Sequence, residues 1–321
     1  MQQYIIQRVL LNIPVILLVV TFVFFASHIR PDWAEQRAAQ GMSSTKDYKE
    51  AVQAIRHELG TDKPLWRQYV NYLGKISRGD FGTSFITGHS VTSELRGRLV
   101  ASMELGALQI LISLAIAVPI GVVAAVRQDT WVDYVLRFTA VLGLAIPAFY
   151  LGTLLLLLAT KVVGWTPPLI PTAYREIWQD PAANLKMMAL PALAGGFAEA
   201  AVIMRLLRSE LLEVLRQDYV RTAWAKGLRE RAVLTRHAMR NAMAPVVTII
   251  GLLIGVLFGG NVVLESMFSV PGAGQFIVIS LEQSDFPVVQ GVVLIVAVAL
   301  VTTNLVVDLA YAWIDPRIRY S

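Results

Sequence analysis

Long apolar runs alternate with polar segments along this chain, and five of the runs carry no charged side chain. A helix that crosses the hydrocarbon core of a bilayer needs about 20 mostly apolar residues. The runs that meet this length are Val9–Ser27, Leu105–Val126, Phe138–Thr160, Ala242–Leu264 and Val288–Val307. A sixth run, Met187–Met204, is interrupted by Glu199. The pattern predicts an all-α integral membrane protein with six transmembrane helices.

Composition supports this class and removes several others. Hydrophobic residues make up 55% of the 321 positions and charged residues only 16%, whereas a soluble domain carries about 25% charged residues. The chain has no cysteine, which excludes disulfides, thiolate zinc sites and a cysteine nucleophile. The first run is longer than the roughly 7–15 residues of a signal-peptide core, so we interpret it as a retained helix.

The basic residues predict the orientation, because Lys and Arg concentrate in short loops on the cytoplasmic side. Arg8, the loop with Arg127 and Arg137, the segment 205–241 and the tail with Arg317 all fall on one side if there are six spans. The loop 265–287 on the other side has no Lys or Arg. Both termini are therefore predicted to be cytoplasmic.

The predicted organisation has four parts. Residues 1–29 hold the first helix, 30–101 form an extracytoplasmic insertion, 102–313 form the membrane core, and 314–321 form a cytoplasmic tail. Within the insertion, Ala51–Leu59 has the spacing of a short amphipathic helix that stops at Gly60. Pro119, Pro147 and Pro191 fall in predicted spans, either as ordinary kinks or as bends that line a pathway.

One polar segment, Leu211–Pro245, is too regular to be a loose loop and too polar to span a bilayer. Helical spacing runs up to Gly227, breaks there, and resumes at Val233. The overlapping stretch 205–241 carries nine basic residues: Arg205, Arg208, Arg216, Arg221, Lys226, Arg229, Arg231, Arg236 and Arg240. Such a helix–break–helix suits a rigid element exposed to a soluble motor, with small residues Ala223, Ala225 and Gly227 allowing close approach. A plain basic loop against anionic headgroups is the alternative.

The middle of this segment reads Asp218-Tyr219-Val220-Arg221-Thr222-Ala223-Trp224-Ala225-Lys226-Gly227-Leu228. It resembles the cytoplasmic loop of ABC importer permeases, in the version found in the dipeptide, oligopeptide and nickel importers. Matching motifs elsewhere are Leu59–Trp66, Arg78–Ser84, Phe268–Gly274, Asp285–Gly291 and Asp315–Arg317. The chain departs from the family at Arg30-Pro31-Asp32-Trp33, where Gly-Asp-Pro is usual, and at Arg221 and Trp224.

This resemblance implies a type I ABC importer permease subunit that translocates dipeptides or short oligopeptides by alternating access. The permease would be coupled to the ATPase through Tyr219, Arg221, Thr222, Ala223, Ala225, Lys226, Gly227 and Leu228. The implied partners are a second homologous permease, two ATP-binding subunits, an extracytoplasmic substrate-binding protein and the lipid bilayer. ATP and Mg would bind the two ATP-binding subunits, since this chain has no G-x-x-x-x-G-K-[ST] loop. The chain itself would need no cofactor. Nickel chelates, opines or another small solute are alternative cargo.

Glu199 is the one carboxylate deep in a predicted span, and intramembrane charge is a functional hypothesis by default. It faces the substrate pathway, or it pairs with Arg205 or Arg208 near the cytoplasmic end, or the fourth span is shorter than this run. An ion-coupled secondary transporter is a more distant alternative, because it has no need of the basic loop. An intramembrane protease is disfavoured because Gly82-Thr83-Ser84 lacks the following glycine, and His57-Glu58 lacks the second histidine of a zinc helix. Nucleic-acid and metal binding have no supporting pattern.

Overall fold

The structure is a computed structural model that describes residues 2–27, 49–50, 52–54, 56–57, 60 and 62–314, with side chains described except at 2–9, 27, 256 and 307–314. The described helices, in chain order, are α1 (Gln2–Ser27), α2 (Leu65–Ile76), α3 (Val91–Val126), α4 (Trp131–Ala145), α5 (Ala148–Leu157), α6 (Pro181–Leu215), α7 (Asp218–Ala225), α8 (Glu230–Ala232), α9 (Met239–Leu257), α10 (Val262–Phe268), α11 (Ala273–Glu282) and α12 (Phe286–Ile314). Across these ranges there is no β-strand, only an isolated bridge between Thr83 and Ser90.

Helix length and composition confirm a multi-pass membrane protein. Within the described residues, four helical stretches are long and apolar enough to span a bilayer: Val91–Val126, Pro181–Leu215, Glu230–Gly255 and Phe286–Val306. Two bent pairs, α4 with α5 and α10 with α11, raise the number to six if each pair is one span. The described apolar part of α1, Leu10–Ala26, is a shorter stretch.

The third predicted span is not one straight helix. Instead, α4 ends at Ala145 and the next helix runs at 103° to it. The cause is Pro147, which lacks a backbone N–H and disfavours helical geometry at the preceding residue. Ile146 is accordingly extended, with φ −87° and ψ 118°. Pro119 and Pro191, by contrast, lie inside continuous helices.

The fifth predicted span ends earlier than its apolar run. The prediction extended it to Leu264, but α9 ends at Leu257 and a second helix begins at Val262. Gly260 adopts the left-handed φ of +65° between them, and Asn261 caps the new helix by accepting a hydrogen bond from the Leu264 N–H at 3.2 Å. The sequence Gly259-Gly260-Asn261 is thus a break within an apolar run.

The helix that contains the second predicted span begins before the apolar run. Although its apolar part starts at Leu105, α3 already begins at Val91 and includes charged residues such as Glu94 and Arg98. Upstream of α3, Gly79, Gly82 and Gly88 have positive φ, a backbone conformation that suits glycine in turns. Of the predicted helix Ala51–Leu59, residues 52–54 and 56–57 are helical, and 51, 55, 58 and 59 lie outside the described residues, as do Arg30–Trp33 and Asp315–Arg317. The predicted division at 29, 101 and 313 stays a prediction.

The chain forms two compact units, Met1–Leu99 with Gly272–Ser321, and Val100–Pro271. The first unit has a core around Val91, Leu95, Phe276, Val288 and Val292. The second unit has two apolar clusters, one around Leu105, Met187, Met188, Leu264 and Phe268, and one around Ile203, Leu207, Leu211, Ala242 and Val246. The residues of functional interest lie in the second unit.

Candidate functional site

The short helix α7 has a defined beginning and end. Asp218 places negative charge in its first turn, where the helix dipole favours it. At the other end Gly227 is left-handed, with φ +75°. The Gly227 N–H donates to the Trp224 carbonyl at 2.9 Å and the Leu228 N–H to the Ala223 carbonyl at 3.4 Å. These two bonds form a Schellman motif, which confirms the predicted break at Gly227.

One face of α7 is fixed to the rest of the chain. Val220 and Ala223 are buried, and they form a small apolar cluster with Val233. Ala223 therefore faces inward and anchors the helix. This placement corrects the expectation that Ala223, as a small residue, contacts a partner's groove.

The rest of the α7 surface and the turn that follows it are exposed. Their large apolar side chains are open to solvent, with exposed fractions of 42% for Tyr219 and 44% for Trp224 in α7 and 39% for Leu228 in the turn. The other predicted residues Arg221, Thr222, Ala225, Lys226 and Gly227 are exposed as well. We call Asp218–Leu228 the coupling segment. Exposed aromatic residues flanked by basic side chains match the composition of protein interfaces better than that of a solvated loop.

The coupling segment is connected to the following helix by a side-chain hydrogen bond. The Asn241 amide donates to the Tyr219 hydroxyl at 2.6 Å. The predicted second helix is confirmed, but it begins at Glu230 and contains a π-helical stretch, Val233–Ala238. Such stretches often mark functional positions in helices. The apolar spacing of the sequence gave no signal for this one.

A buried ion pair joins α4 to α6. Arg208 donates from Nε to Asp133 Oδ1 at 2.8 Å and from Nη2 to Asp133 Oδ2 at 2.7 Å. Asp133 is fully buried, and the Arg137 guanidinium lies 3.4 Å from the same carboxylate. Arg208 thus pairs with Asp133, which corrects the alternative in which it would neutralise Glu199.

Glu104 is the centre of a second polar network that the sequence did not reveal. Its carboxylate accepts hydrogen bonds from the Tyr174 hydroxyl at 2.9 Å, the Ile177 N–H at 2.9 Å and the Asn184 amide at 2.6 Å. Burial is the largest cause that raises the pKa of Tyr174 well above its ordinary value, and its hydrogen bond to the Glu104 carboxylate is the second. This network holds the segment before α6 in place.

Glu199 lies on the wall of a cavity of about 200 Å³ within the second unit. The polar residues of this wall are Ser102, Gln109, Glu199 and Asn261, and much of the rest is apolar. Beside Gln109, α3 and α6 approach each other closely at Gly195 and Gly196. A Cβ on Gly196 would lie 2.8 Å from the Gln109 carbonyl oxygen. Close approach at small residues is typical of helix packing in membranes.

A second carboxylate, Glu265, lies beside the cavity wall and is fully buried. The Ser102 hydroxyl donates to Glu265 Oε1 at 2.7 Å. Gly260 is needed next to it, because a Cβ there would lie 2.3 Å from the same oxygen. Among the described residues no group of three His, Cys, Asp or Glu side chains is placed to hold a metal ion.

These features define a class: a helical, multi-pass membrane protein with an interior cavity and a surface helix that is anchored by one face and exposed on the rest of its surface. Comparison with known proteins gives the family. Residues 117–320 match the binding-protein-dependent transport system inner membrane component, and residues 1–106 match the N-terminal part of such membrane components. The chain belongs to this family and is a permease subunit of an ABC importer in the inner membrane.

Individual relatives match along their whole length. The chain is 38% identical to the glutathione transport system permease protein GsiC of Pectobacterium atrosepticum over 321 residues, which is 100% of both chains. It is 37% identical to the protein of the same name from Salmonella choleraesuis and 36% identical to that of Escherichia coli strain K12, again over 100% of both chains. An importer of this family works with a binding protein and an ATPase.

Proposed function

We propose that this chain is a transmembrane permease subunit for short peptides, driven by ATP hydrolysis on partner subunits. The observation that carries the proposal is the coupling segment, whose buried face is fixed to the chain and whose exposed surface includes Tyr219, Trp224 and Leu228. The full-length relatives named as glutathione permeases support a peptide-type cargo, because glutathione is itself a tripeptide.

The proposed assembly has this chain, a second homologous permease, two ATP-binding subunits and an external binding protein. ATP and Mg bind the ATP-binding subunits. Both termini and the coupling segment lie on the cytoplasmic side, in agreement with the basic residues of segment 205–241. The binding protein meets the opposite side.

In the proposed mechanism, ATP closes the two ATP-binding subunits and this movement is transmitted through the coupling segment. The rigid end of α7 and the Tyr219–Asn241 hydrogen bond pass it to α9. The cavity then alternates between the two sides of the membrane. ATP can drive this change only if the two states bind it with different affinities.

Reconstitution of the complete transporter in vesicles tests the proposal. We expect a loaded binding protein carrying glutathione or a dipeptide to stimulate ATP hydrolysis and peptide uptake. Stimulation by a nickel chelate, an opine or another solute, with none by peptides, would contradict the proposed peptide cargo. The assignment as a permease subunit would still hold. Uptake by this chain without ATP-binding subunits, driven by an ion gradient, would contradict the mechanism.

A further inference from the structure

Among the described residues that line the cavity in the second unit, one has an ionisable side chain, Glu199. None of the described wall residues is a Lys or an Arg. The Oε2 atom of Glu199 is buried and has no hydrogen-bond partner in the described part of the chain. A buried acceptor without a partner costs free energy, and a charge within a membrane bundle calls for a partner.

The remaining polar groups of the wall suit a cationic donor. The side-chain oxygens of Ser102, Gln109 and Asn261 can each accept a hydrogen bond. Asn261 Oδ1 already accepts one from the Leu264 N–H, but a carbonyl oxygen has a second lone pair. An ammonium group, which has three donors and no acceptor, is matched by one carboxylate and neutral oxygens.

Size limits what part of a solute can enter. Pockets that enclose a whole drug-sized ligand measure about 300–1,000 Å³, and this cavity measures about 200 Å³. It therefore fits one end of a peptide-sized molecule. An anionic end is disfavoured by Glu199 and by the nearby Glu265 carboxylate, which Ser102 contacts.

We propose that this cavity binds the primary ammonium end of the transported solute, with Glu199 as its counter-ion. The inference rests on the proposed function, because it takes the cavity as part of the import pathway. It adds the chemical group that the permease itself recognises, independently of the binding protein.

The absence of cysteine allows a charge-selective probe of the cavity. A single thiol introduced by Leu253→Cys, on the cavity wall, is labelled in the assembled transporter with cationic 2-aminoethyl or anionic 2-sulfonatoethyl methanethiosulfonate. The modification rate of this chain is followed by mass spectrometry. We expect the ratio of cationic to anionic rates to fall at least about tenfold on adding Glu199→Gln. The matched control Glu282→Gln, an exposed carboxylate, should leave the ratio unchanged.

Two results of the labelling experiment would overturn the inference. One is an unchanged ratio after Glu199→Gln. The other is the absence of labelling by either reagent, with and without ATP, at both Leu253→Cys and a second wall position, Leu257→Cys, because a site closed in all states cannot receive a solute. Neither result depends on which solute is transported, so failure here is separate from failure of the peptide cargo.

A transport measurement then connects the cavity to the cargo. With the binding protein saturated, uptake of an amine-bearing dipeptide should fall at least about tenfold in Glu199→Gln and be largely kept in Glu199→Asp. A loss of charge-selective labelling with unchanged uptake would show that the cavity attracts cations without serving the solute, and would overturn the proposal. If the wild-type transporter moves no peptide, the proposed function fails while the labelling result still stands.

Discussion

At the scale of single residues, Gly227 has one requirement, its backbone conformation. It has φ +75°, and an added Cβ would meet no atom within 4 Å. Gly227→Ala should therefore act only through left-handed strain, which costs an L-residue about 1–2 kcal/mol. We expect weaker substrate-stimulated ATP hydrolysis, with Gly227→Asn affected less because Asn tolerates this conformation.

Gly97→Ala is the matched control for Gly227→Ala. Gly97 also has open space around its Cβ position, but it lies inside helix α3 and its φ is not left-handed. Alanine there should be neutral or mildly stabilising, by up to about 1 kcal/mol. Equal loss of stimulation in both variants would show that the Gly227 conformation has no special role.

Tyr174 gives a prediction about pH. Because the pKa of its phenol is raised in the fold above the ordinary value of about 10, the neutral form is favoured by folding. Its contribution to stability is complete below pH ~10 and is lost as pH rises toward the folded pKa. Difference absorbance of wild type against Tyr174→Phe should show no ionisation of this phenol near pH 10.

Glu104→Gln tests the cause of that shift. The amide removes the carboxylate next to Tyr174 and weakens an acceptor that serves three donors. We expect the pKa of Tyr174 to fall and the free energy of unfolding to drop by about 1–3 kcal/mol. A Tyr174 titration that is the same in wild type and Glu104→Gln would rule out the carboxylate as a cause.

At the scale of helices, the Asp133–Arg208 pair fixes α4 against α6. Asp133→Asn leaves Arg208, only 16% exposed, without its bidentate partner, and breaking a buried pair costs about 3–5 kcal/mol. With Asp133 unchanged, Arg208→Lys should keep little of the stability that the pair provides, because lysine cannot bond both carboxylate oxygens in a fork. Arg137→Gln is the control, since Arg137 is 40% exposed and should cost about 1 kcal/mol or less.

A double-mutant cycle in thermal unfolding of the purified transporter measures this pair. Asp133→Asn with Arg208→Gln should cost clearly less than the sum of the two single variants, since the second change removes a group that the first leaves unpaired. Strict additivity would show that the two side chains do not act as a unit.

Much of the helical architecture follows from apolar run length, but breaks within runs do not. Residues 138–160 carry no charged side chain, so only Pro147 marked the position where α4 ends. A proline alone does not separate a kink from a 103° bend. Likewise, Gly260 and Asn261 lie in an apolar run that continues to Leu264. In both places local backbone chemistry overrides the hydrophobic pattern.

The local features of the functional site were predictable from the sequence, and its long-range contacts were not. The break at Gly227 and the polar character of the coupling segment are local and were visible in the sequence. The Asp133–Arg208 and Glu104–Asn184 contacts join residues 75 and 80 positions apart, and nothing in the spacing of isolated polar residues identifies such partners. The inward direction of Ala223 depends on Val233, which lies on a different helical segment.

At the scale of the whole transporter, Trp224 offers the most direct test of the coupling segment. It is 44% exposed, so truncation should leave this chain folded, while an exposed tryptophan on a docking surface often carries about 2 kcal/mol or more of binding energy. We expect Trp224→Ala to reduce both retention of the ATP-binding subunits on the purified permease and substrate-stimulated ATP hydrolysis. For retention of the ATP-binding subunits, Trp178→Ala is the matched control, because Trp178 is 65% exposed and lies in the loop before α6, which the proposed orientation places on the side away from those subunits. Full assembly and stimulation in Trp224→Ala would contradict docking through this face, whereas equal defects in both variants would point to a general effect of losing a surface tryptophan.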